Sequence, residues 1–148
     1  MSHQSATIPL EPFGKARPRV TRGNTYMPDS YTKARAALRL LFGAVTVPPP
    51  WELRVTAVRA LPRSWSARRR AAMAGAWCAS KPDADNIAGA VMDALFEDDA
   101  PVVAVTCRKV WGATGALEIE IRTAGGSVEA SGAINALRYD NTPAGSAR

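Results

Sequence analysis

The stretch that organises this sequence is residues 81–102, which read KPDADNIAGAVMDALFEDDAPV. Apolar residues recur in it at i, i+3, i+4, i+7 and i+8 from Ile87, and this spacing predicts a helix over about 86–96 with one apolar stripe. Proline at position 82 disfavours helical geometry in the residue before it, so the helix must begin after it. The predicted helix therefore has acidic residues at both ends.

Two interpretations compete for these acidic residues. An aspartate before a helix commonly caps it, which accounts for Asp83 or Asp85 alone. Capping does not account for both together with the Asp98-Asp99 pair at the other end. Clustered carboxylates repel one another unless cations hold them together, and hard oxygen ligands of this kind suit Mg²⁺ or Mn²⁺. Such an ion can bind a phosphate oxygen and lower the pKa of a bound water, so the pattern indicates chemistry on phosphate esters.

Charge is divided unevenly along the chain. Residues 15–70 hold thirteen Lys and Arg against two acidic residues, whereas residues 71–148 hold six against ten. A cationic face can simply keep a protein soluble. Clustering on this scale is better explained by attraction to a polyanion, and nucleic acid is the commonest one. A cationic surface that binds nucleic acid and an acidic metal site that acts on phosphate esters are together the minimum that a nuclease needs.

Histidine and cysteine offer little alternative chemistry. Cys78 and Cys107 show neither metal-ligand spacing nor a disulfide-rich pattern, and His3 is the only histidine. A zinc site would lack ligands, and a His-dependent nucleophilic triad is equally disfavoured. The sequence has no apolar run near the roughly 20 residues that span a bilayer, and its first residues lack the features of a signal peptide. We therefore expect a cytoplasmic protein with no membrane contact.

Residues 81–102 resemble the signature of the RusA family of Holliday junction resolvases. The family pattern is an Asp-x-Asp-Asn helix start, an Asp-Ala-Leu helix end and an Asp-Asp pair before a strand. Residues 14–19 and 25–28, GKARPR and TYMP, resemble the basic N-terminal motif of phage-borne members. The likeness spans about residues 8–122. We therefore expect an endonuclease domain over residues 1–122 and a mobile Gly/Ala/Ser-rich tail over 123–148.

The resemblance implies a homodimer with two acidic metal sites that cuts symmetrically across a four-way DNA junction. Asp83, Asp85 and Asp99 fall on the three family aspartates, which implies that they bind Mg²⁺ (or Mn²⁺ in its place) and act in catalysis. Asp98 is an uncertain additional ligand. Asp93 also matches a family position, although a surface carboxylate or a helix hydrogen bond fits it equally well.

Two features depart from the family pattern. Family members often carry a catalytically important lysine four residues after the second aspartate, where this chain has Gly89. Either another cation substitutes, with Lys81 and Lys15 the candidates and Lys81 counted among the catalytic residues, or turnover is slow. Each lysine has the alternative of being an ordinary solvated side chain.

The second departure is a short connection between the helix and the Asp98-Asp99 pair. A helix over about 86–96 is roughly 16 Å long, and the few residues after it cover at most about 10 Å. This leaves Asp99 near the limit for sharing a metal with Asp83. Either the helix ends early, or Asp99 reaches the site of the partner subunit.

Two basic clusters are candidates for contacts with DNA phosphates, and such contacts set position and salt dependence rather than sequence preference. The first lies in a predicted basic loop or hairpin and the second on a helix over about 64–75, where a solvated helix face is an equal alternative. The candidate residues are Lys15, Arg17, Arg19, Arg22, Arg68, Arg69 and Arg70. The four tryptophans are assigned to the core or to interfaces, and none to DNA.

The fold class expected is α+β, with a mixed β-sheet of about four or five strands packed by two or three helices. Strands are predicted over about 7–10, 51–59, 102–110 and 116–122, and a further helix over about 31–43. The function expected is Mg²⁺-dependent cleavage of Holliday junctions and other branched DNA in recombination, repair or phage DNA processing. The alternatives are a branched-DNA-binding module with weak or lost cleavage and a nuclease for forks, flaps or RNA.

Overall fold

The computed structural model describes residues 2–125 of the chain. Six strands and three helices form in these residues. In chain order they are β1 (His3–Ile8), β2 (Arg19–Thr21), β3 (Asn24–Tyr26), α1 (Asp29–Phe42), β4 (Trp51–Ala60), α2 (Ala67–Met73), α3 (Ala84–Leu95), β5 (Val102–Gly112) and β6 (Ala116–Thr123). Most of the tail expected over 123–148 falls outside the described residues.

Four strands form one mixed sheet in the order β1-β6-β4-β5. The pairs β1–β6 and β6–β4 are antiparallel, whereas β4 and β5 are parallel. Parallel neighbours require a crossover connection, and α2 and α3 lie in it. The α+β class, the mixed four-stranded sheet and the three helices are as the sequence predicts. Strands β2 and β3 form a separate two-stranded hairpin.

The core lies between one face of the sheet and helices α1 and α3. Alternate residues of the central strands point into it, such as Leu53 and Val55 of β4 and Ile119 of β6. Helix α3 contributes the stripe that its spacing predicts, with Ile87 and Val91 almost fully buried. The opposite face of the sheet is open and largely polar, and it forms a shallow cavity lined by residues such as Arg54, Thr56, Arg108, Glu118 and Glu120.

Local differences from the sequence prediction have simple physical causes. Strand β1 ends at Ile8 rather than continuing through Pro9, because proline has no N–H for the ladder, but it is an edge strand as expected. The sequence pattern puts Leu38, Leu41 and Phe42 on the apolar side of α1. Leu38 and Phe42 are buried, whereas Leu41 is 51% exposed, and Tyr31 is a buried residue of this helix that the pattern did not indicate. Helix α2 is shorter than predicted.

Caps and turns follow the sequence more closely. Ser66 caps α2 by accepting a hydrogen bond from the Arg69 N–H at 3.2 Å. Gly43 ends α1 with a positive φ of 81°, the geometry that glycine adopts without strain. No helix within residues 2–125 is both long enough and apolar enough to cross a membrane.

Candidate active site

The start of α3 carries the first candidate ligand, Asp83. Its backbone is extended and occupies the cap position, but its side chain makes no capping hydrogen bond. Instead, the Lys81 ammonium donates to both carboxylate oxygens, at 2.7 and 2.6 Å. This hydrogen bond, with added attraction from Lys81 and Lys109, holds the pKa of Asp83 below its usual value. Simple capping therefore does not explain Asp83.

Asp85 lies in the first turn of α3 and is exposed. Within residues 2–125 its carboxylate takes part in no side-chain hydrogen bond or ion pair. The free N–H groups and the dipole at this helix end favour negative charge there. The N-terminal end of α3 therefore carries two aspartates that lie two residues apart in the chain, and their carboxylate oxygens are ligands of the type that a hard cation binds.

The Asp98-Asp99 pair lies in the turn before β5. The Asp98 carboxylate is engaged locally, because it accepts the Ala100 N–H at 3.0 Å. Asp99 is exposed, and its carbonyl accepts the Val102 N–H at 2.9 Å, which leaves its carboxylate outside the turn hydrogen bonds. Of the two aspartates, Asp99 is the one with a carboxylate available to a ligand.

Asp99 lies far from Asp83 within one chain. Helix α3 has twelve residues and is about 18 Å long, with Asp83 before its start and Asp99 beyond its end. A second estimate comes from β5, because Lys109 contacts the Pro82 carbonyl and the seven steps back to Val102 cover about 23 Å. The part of the chain described here contains no group of three His, Cys, Asp or Glu that could hold a metal. One chain thus places Asp83 and Asp85 at the same end of α3 and Asp99 beyond the other end.

Two cations that the sequence analysis did not single out support the start of α3. The Lys109 ammonium donates to the carbonyls of Ser80 at 2.7 Å and Pro82 at 2.9 Å. Arg59, near the end of β4, donates to the carbonyl of Lys81. Sequence patterns place these residues on strands, but only the parallel pairing of β4 and β5 brings them to the segment before Asp83.

Lys15 crosses the surface of α3 at Gly89. The Lys15 N–H donates to the Asn86 carbonyl at 2.9 Å, which fixes the N-terminal segment against the helix. A Cβ at Gly89 would lie 3.4 Å from Cδ and 3.7 Å from Cβ of Lys15. The Lys15 side chain therefore lies where a longer residue at position 89 would leave the helix.

Beyond Gly89, the Lys15 ammonium reaches the carboxylate of Asp93 at 3.5 Å. The Tyr31 hydroxyl donates to the same carboxylate at 2.6 Å, and Arg35 lies 3.6 Å away. The Tyr31 hydrogen bond, with the charges of Lys15 and Arg35, lowers the pKa of Asp93. Burial and this hydrogen bond raise the pKa of Tyr31. Asp93 thus joins α1, α3 and the N-terminal segment, a more specific role than that of a surface carboxylate.

The predicted phosphate-contacting arginines lie in two places. Arg17, Arg19 and Arg22 are exposed and lie on or beside the β2–β3 hairpin. Arg68 and Arg69 are exposed on α2, where the Arg69 guanidinium stacks over the Trp65 ring at 3.8 Å.

Arg70 differs from its neighbours on α2 because its Nε is buried without a partner among the described residues. It is the least available of the three for a phosphate contact.

The tryptophans divide into core and surface residues. Trp111 is buried, and Trp51 and Trp65 are half-buried, as expected for core anchors. Trp77 is 71% exposed and lies beside Cys78, whose N–H donates to the Lys109 carbonyl. Its exposure could not be foreseen, because it depends on how the segment before α3 meets the edge of β5.

Comparison with known proteins identifies a family. The family model described as Endodeoxyribonuclease RusA matches residues 9–122, which include both candidate aspartates of α3 and the Asp98-Asp99 pair. No curated protein matches the chain. The match covers well over half of the sequence, and its limits agree with the 8–122 span of the resemblance. The chain therefore belongs to the RusA endodeoxyribonuclease family.

Proposed function

We propose that this protein is a divalent-metal-dependent endonuclease that resolves four-way junctions and other branched DNA, as a homodimer, in recombination, repair or phage DNA processing. One observation carries the proposal. Asp83 and Asp85 lie two residues apart at the N-terminal end of α3, and four cationic side chains contact the segment before this helix or its first two turns. The cations are Lys15, Arg59, Lys81 and Lys109.

The residues at this site fit a hard cation in their chemistry. Asp83 and Asp85 offer carboxylate oxygens, the ligand type that Mg²⁺ and Mn²⁺ prefer, and Asp99 is the third candidate ligand. When bound, the ion would stabilise negative charge at the scissile phosphate and lower the pKa of the attacking water. Lys81 neutralises Asp83 without the ion, so we expect its ammonium to move to a phosphate oxygen when the ion takes its place.

Lys15 is the better candidate to replace the lysine that family members carry at position 89. Its side chain occupies the space above Gly89, whereas Lys81 is engaged with Asp83 at the helix mouth. Asp93 fixes the Lys15 ammonium by an ion pair, and Tyr31 fixes Asp93. In that pair the ammonium lies about 12 Å along α3 from Asp85, so it would leave Asp93 to place positive charge beside the phosphate, where such charge stabilises the transition state of phosphodiester cleavage.

The homodimer explains how Asp99 can serve a site about 20 Å away. Strand β5 is an edge strand that pairs with β4 on one side. On its other side, among residues 2–125, the segment around Ala76 covers only the final residues of β5, through hydrogen bonds to Lys109 and Trp111. The earlier part of the edge carries Val103 and Val105, which are 62% and 43% exposed. Such an edge is a ready surface for pairing with another strand.

Antiparallel pairing of β5 with its copy would bring the required residues together. A two-fold axis near residues 104–106 places Asp99 opposite positions about 109–113 of the other subunit. The partner's Lys109 lies at that end and holds the segment before the partner's Asp83. Each composite site would then contain Asp83 and Asp85 from one subunit and Asp99 from the other. Two such sites related by a two-fold axis suit symmetric cuts across a junction.

A cleavage assay tests the function. The substrates are a labelled four-way junction and a linear duplex of the same sequence, each with and without Mg²⁺. We expect paired nicks in the junction only with the ion. Asp85→Asn should reduce cleavage by roughly 10³-fold, because loss of a ligand to the ion removes several kcal/mol of transition-state stabilisation. Asp29→Asn is the matched control, because Asp29 is the first-turn aspartate of α1, and it should cut normally.

The other outcomes would contradict the proposal. Tight binding of the junction without product would indicate a branched-DNA-binding module. Cleavage of forks, flaps or RNA in preference to the four-way junction would indicate a nuclease with another substrate. Equal loss of activity in Asp85→Asn and Asp29→Asn would show that Asp85 has no special role in cleavage.

A further inference from the structure

The segment between Lys15 and Pro28 forms a hairpin that stands apart from the main sheet. We call residues 16–27 the basic arm. We propose that the basic arm is a two-stranded β-ribbon that enters the major groove of a duplex arm of DNA, about seven base pairs from the scissile phosphate. This inference rests on the proposed function for the position of that phosphate, beside Asp83 and Asp85.

The basic arm has the geometry of a tight ribbon. Strands β2 and β3 pair in register from Arg19↔Tyr26 to Thr21↔Asn24, which leaves a two-residue turn. The turn residues Arg22 and Gly23 have φ values of 48° and 82°, as in the type I′ turns that join short hairpins. Within the described chain these two strands make a sheet of their own, separate from the main sheet.

The surface of the basic arm indicates a polyanionic partner. Residues 16–27 contain three arginines and no acidic residue. Every residue of β2 and β3 is exposed, including Val20 at 71%. An isolated two-stranded hairpin is only marginally stable in water, so contact with a partner would stabilise it. Charge complementarity identifies that partner as nucleic acid rather than an apolar protein surface.

The two faces of the ribbon suit a groove. Alternation along the strands places Arg19, Thr21, Asn24 and Tyr26 on one face, where they can hydrogen-bond to base edges or phosphates. Val20 lies on the other face with Thr25 as its cross-strand neighbour, and both can contact sugars and groove walls through methyl groups. The major groove of B-DNA admits a two-stranded ribbon, whereas the minor groove is about half as wide.

The basic arm is anchored at the start of α3 by the residues before it and at the start of α1 by the residue after it. Before the arm, Gly14 packs against Pro82 and Asn86, since a Cβ there would lie 3.2 and 3.3 Å from their Cβ atoms. Lys15 then bonds to the Asn86 carbonyl. After the arm, the Pro28 carbonyl accepts the first-turn hydrogen bond of α1 from Thr32 at 3.1 Å. DNA bound at Asp83 and Asp85 therefore passes the base of the arm.

The length of the basic arm sets the distance of its contact. Seven residues separate Lys15 from Arg22 at the tip, which at about 3.3 Å per residue gives a reach of roughly 23 Å. Duplex DNA rises about 3.4 Å per base pair, so the tip reaches about seven base pairs from the scissile phosphate. The basic arm would thus bind one duplex on one side of the junction, while Asp83 and Asp85 act at the centre of the junction.

Photo-crosslinking tests the position of the arm. The full chain carries p-benzoylphenylalanine at position 20 and binds a labelled four-way junction without divalent ion, so that no cleavage is needed. Position 20 lies five residues from Lys15, which gives a reach of roughly 17 Å, so we expect crosslinks to paired bases about five base pairs from the cleavage position. The same probe at exposed Lys33 of α1 is the control and should give none. Crosslinks confined to unpaired bases at the crossover, crosslinks between subunits, or no crosslink would each overturn the inference.

A salt titration supplies a second readout. Each phosphate contact makes affinity fall about 3.5-fold between 50 and 200 mM salt. In Arg19→Gln/Arg22→Gln that fall should be about 12-fold smaller than in the wild type, whereas Lys33→Gln should leave it unchanged. If affinity falls with salt as much in the double variant as in the wild type, the proposed contact between the basic arm and DNA is contradicted.

A protein that binds DNA through the basic arm but never cuts it contradicts the proposed function alone. One that cuts junctions but forms no crosslink from position 20 contradicts the arm alone.

Discussion

At the scale of single residues, Asp93 shows what a sequence pattern can and cannot specify. The resemblance picks out this position but leaves its role open between a surface carboxylate and a helix hydrogen bond. In the structure, Asp93 accepts a hydrogen bond from Tyr31, 62 positions away, and pairs with Lys15 and Arg35. Helical spacing places Asp93 on α3, but it cannot predict partners that come from α1 and from the N-terminal segment.

The Tyr31–Asp93 hydrogen bond leads to a prediction about stability and pH. Tyr31→Phe should lower the free energy of unfolding by about 1.5 kcal/mol at pH 7, because it removes a hydrogen bond to a charged group. The folded pKa of Asp93 is depressed, so the stabilisation is present above the unfolded pKa and is lost as pH falls through the folded value. The difference between variant and wild type should therefore stay constant from pH 7 to 5 and shrink below about pH 4.

Urea titrations at several pH values measure this difference. Tyr26→Phe is the control, because Tyr26 is exposed on the hairpin and makes no such bond among the described residues. A Tyr31→Phe difference that persists unchanged at pH 2 would show that the hydroxyl stabilises the fold by another route.

Asp83 is a second residue whose position the sequence predicts but whose side-chain partner it does not. Its position before a helix favours capping, and its backbone is indeed at the cap. The side chain pairs with Lys81 instead, because the bend at Lys81 and Pro82 brings the Lys81 ammonium within 2.6 Å of the Asp83 carboxylate. The sequence identifies the residue and the helix boundary, but the choice between two partners depends on local geometry.

At the scale of elements, the sequence predicts most of the fold. Alternation defines β4 and β6, and helical spacing defines α3 to within two residues at its start. The hairpin turn at Arg22-Gly23 is also predicted, because glycine tolerates the positive φ that a two-residue turn needs. The strand order β1-β6-β4-β5 is not predicted, since local periodicity carries no information on which strands become neighbours.

The packing of the N-terminal segment on α3 predicts that a lysine at position 89 can replace Lys15, the lysine proposed to act in cleavage. Lys15→Ala should reduce junction cleavage on the order of 100-fold, because it removes a positive charge held beside the phosphate. Adding Gly89→Lys to that variant should restore much of the activity, since the space left by the Lys15 side chain lies where a side chain at position 89 would extend.

The measurement is the single-turnover cleavage rate of both variants on the same four-way junction. Lys15→Ala/Ala36→Lys serves as the control, because Ala36 is exposed on α1 beside the far end of α3, where an added lysine should give no rescue. A Lys15→Ala variant that cuts at the wild-type rate would exclude Lys15 as the substitute. Restored DNA binding without restored rate would assign it to binding alone.

At the scale of the whole molecule, the active site depends on features that lie far apart in the sequence. Lys109 and Arg59 reach the start of α3 only because β4 and β5 run parallel with α3 antiparallel to them. From helix length, the sequence predicts that Asp99 lies near the limit for sharing a metal with Asp83. The twelve residues of α3 leave the first of the two stated options, an early helix end, without support. Association of two subunits is the proposal that remains for completing the site.

Heterodimers of defined composition test this proposal most directly. Two differently tagged chains, one Asp83→Asn and the other Asp99→Asn, are purified together as a heterodimer and incubated with a labelled four-way junction and Mg²⁺. If sites are shared between subunits, both defects fall in one site and the other site is intact, so the heterodimer should nick one strand. Each variant homodimer should be inactive.

The reciprocal heterodimer pairs a wild-type chain with an Asp83→Asn/Asp99→Asn chain. Shared sites then each contain one defect, so this heterodimer should be inactive. The opposite result, nicking by the wild-type pair and none by the single-variant pair, would show that each chain builds its own site and would contradict the composite active site.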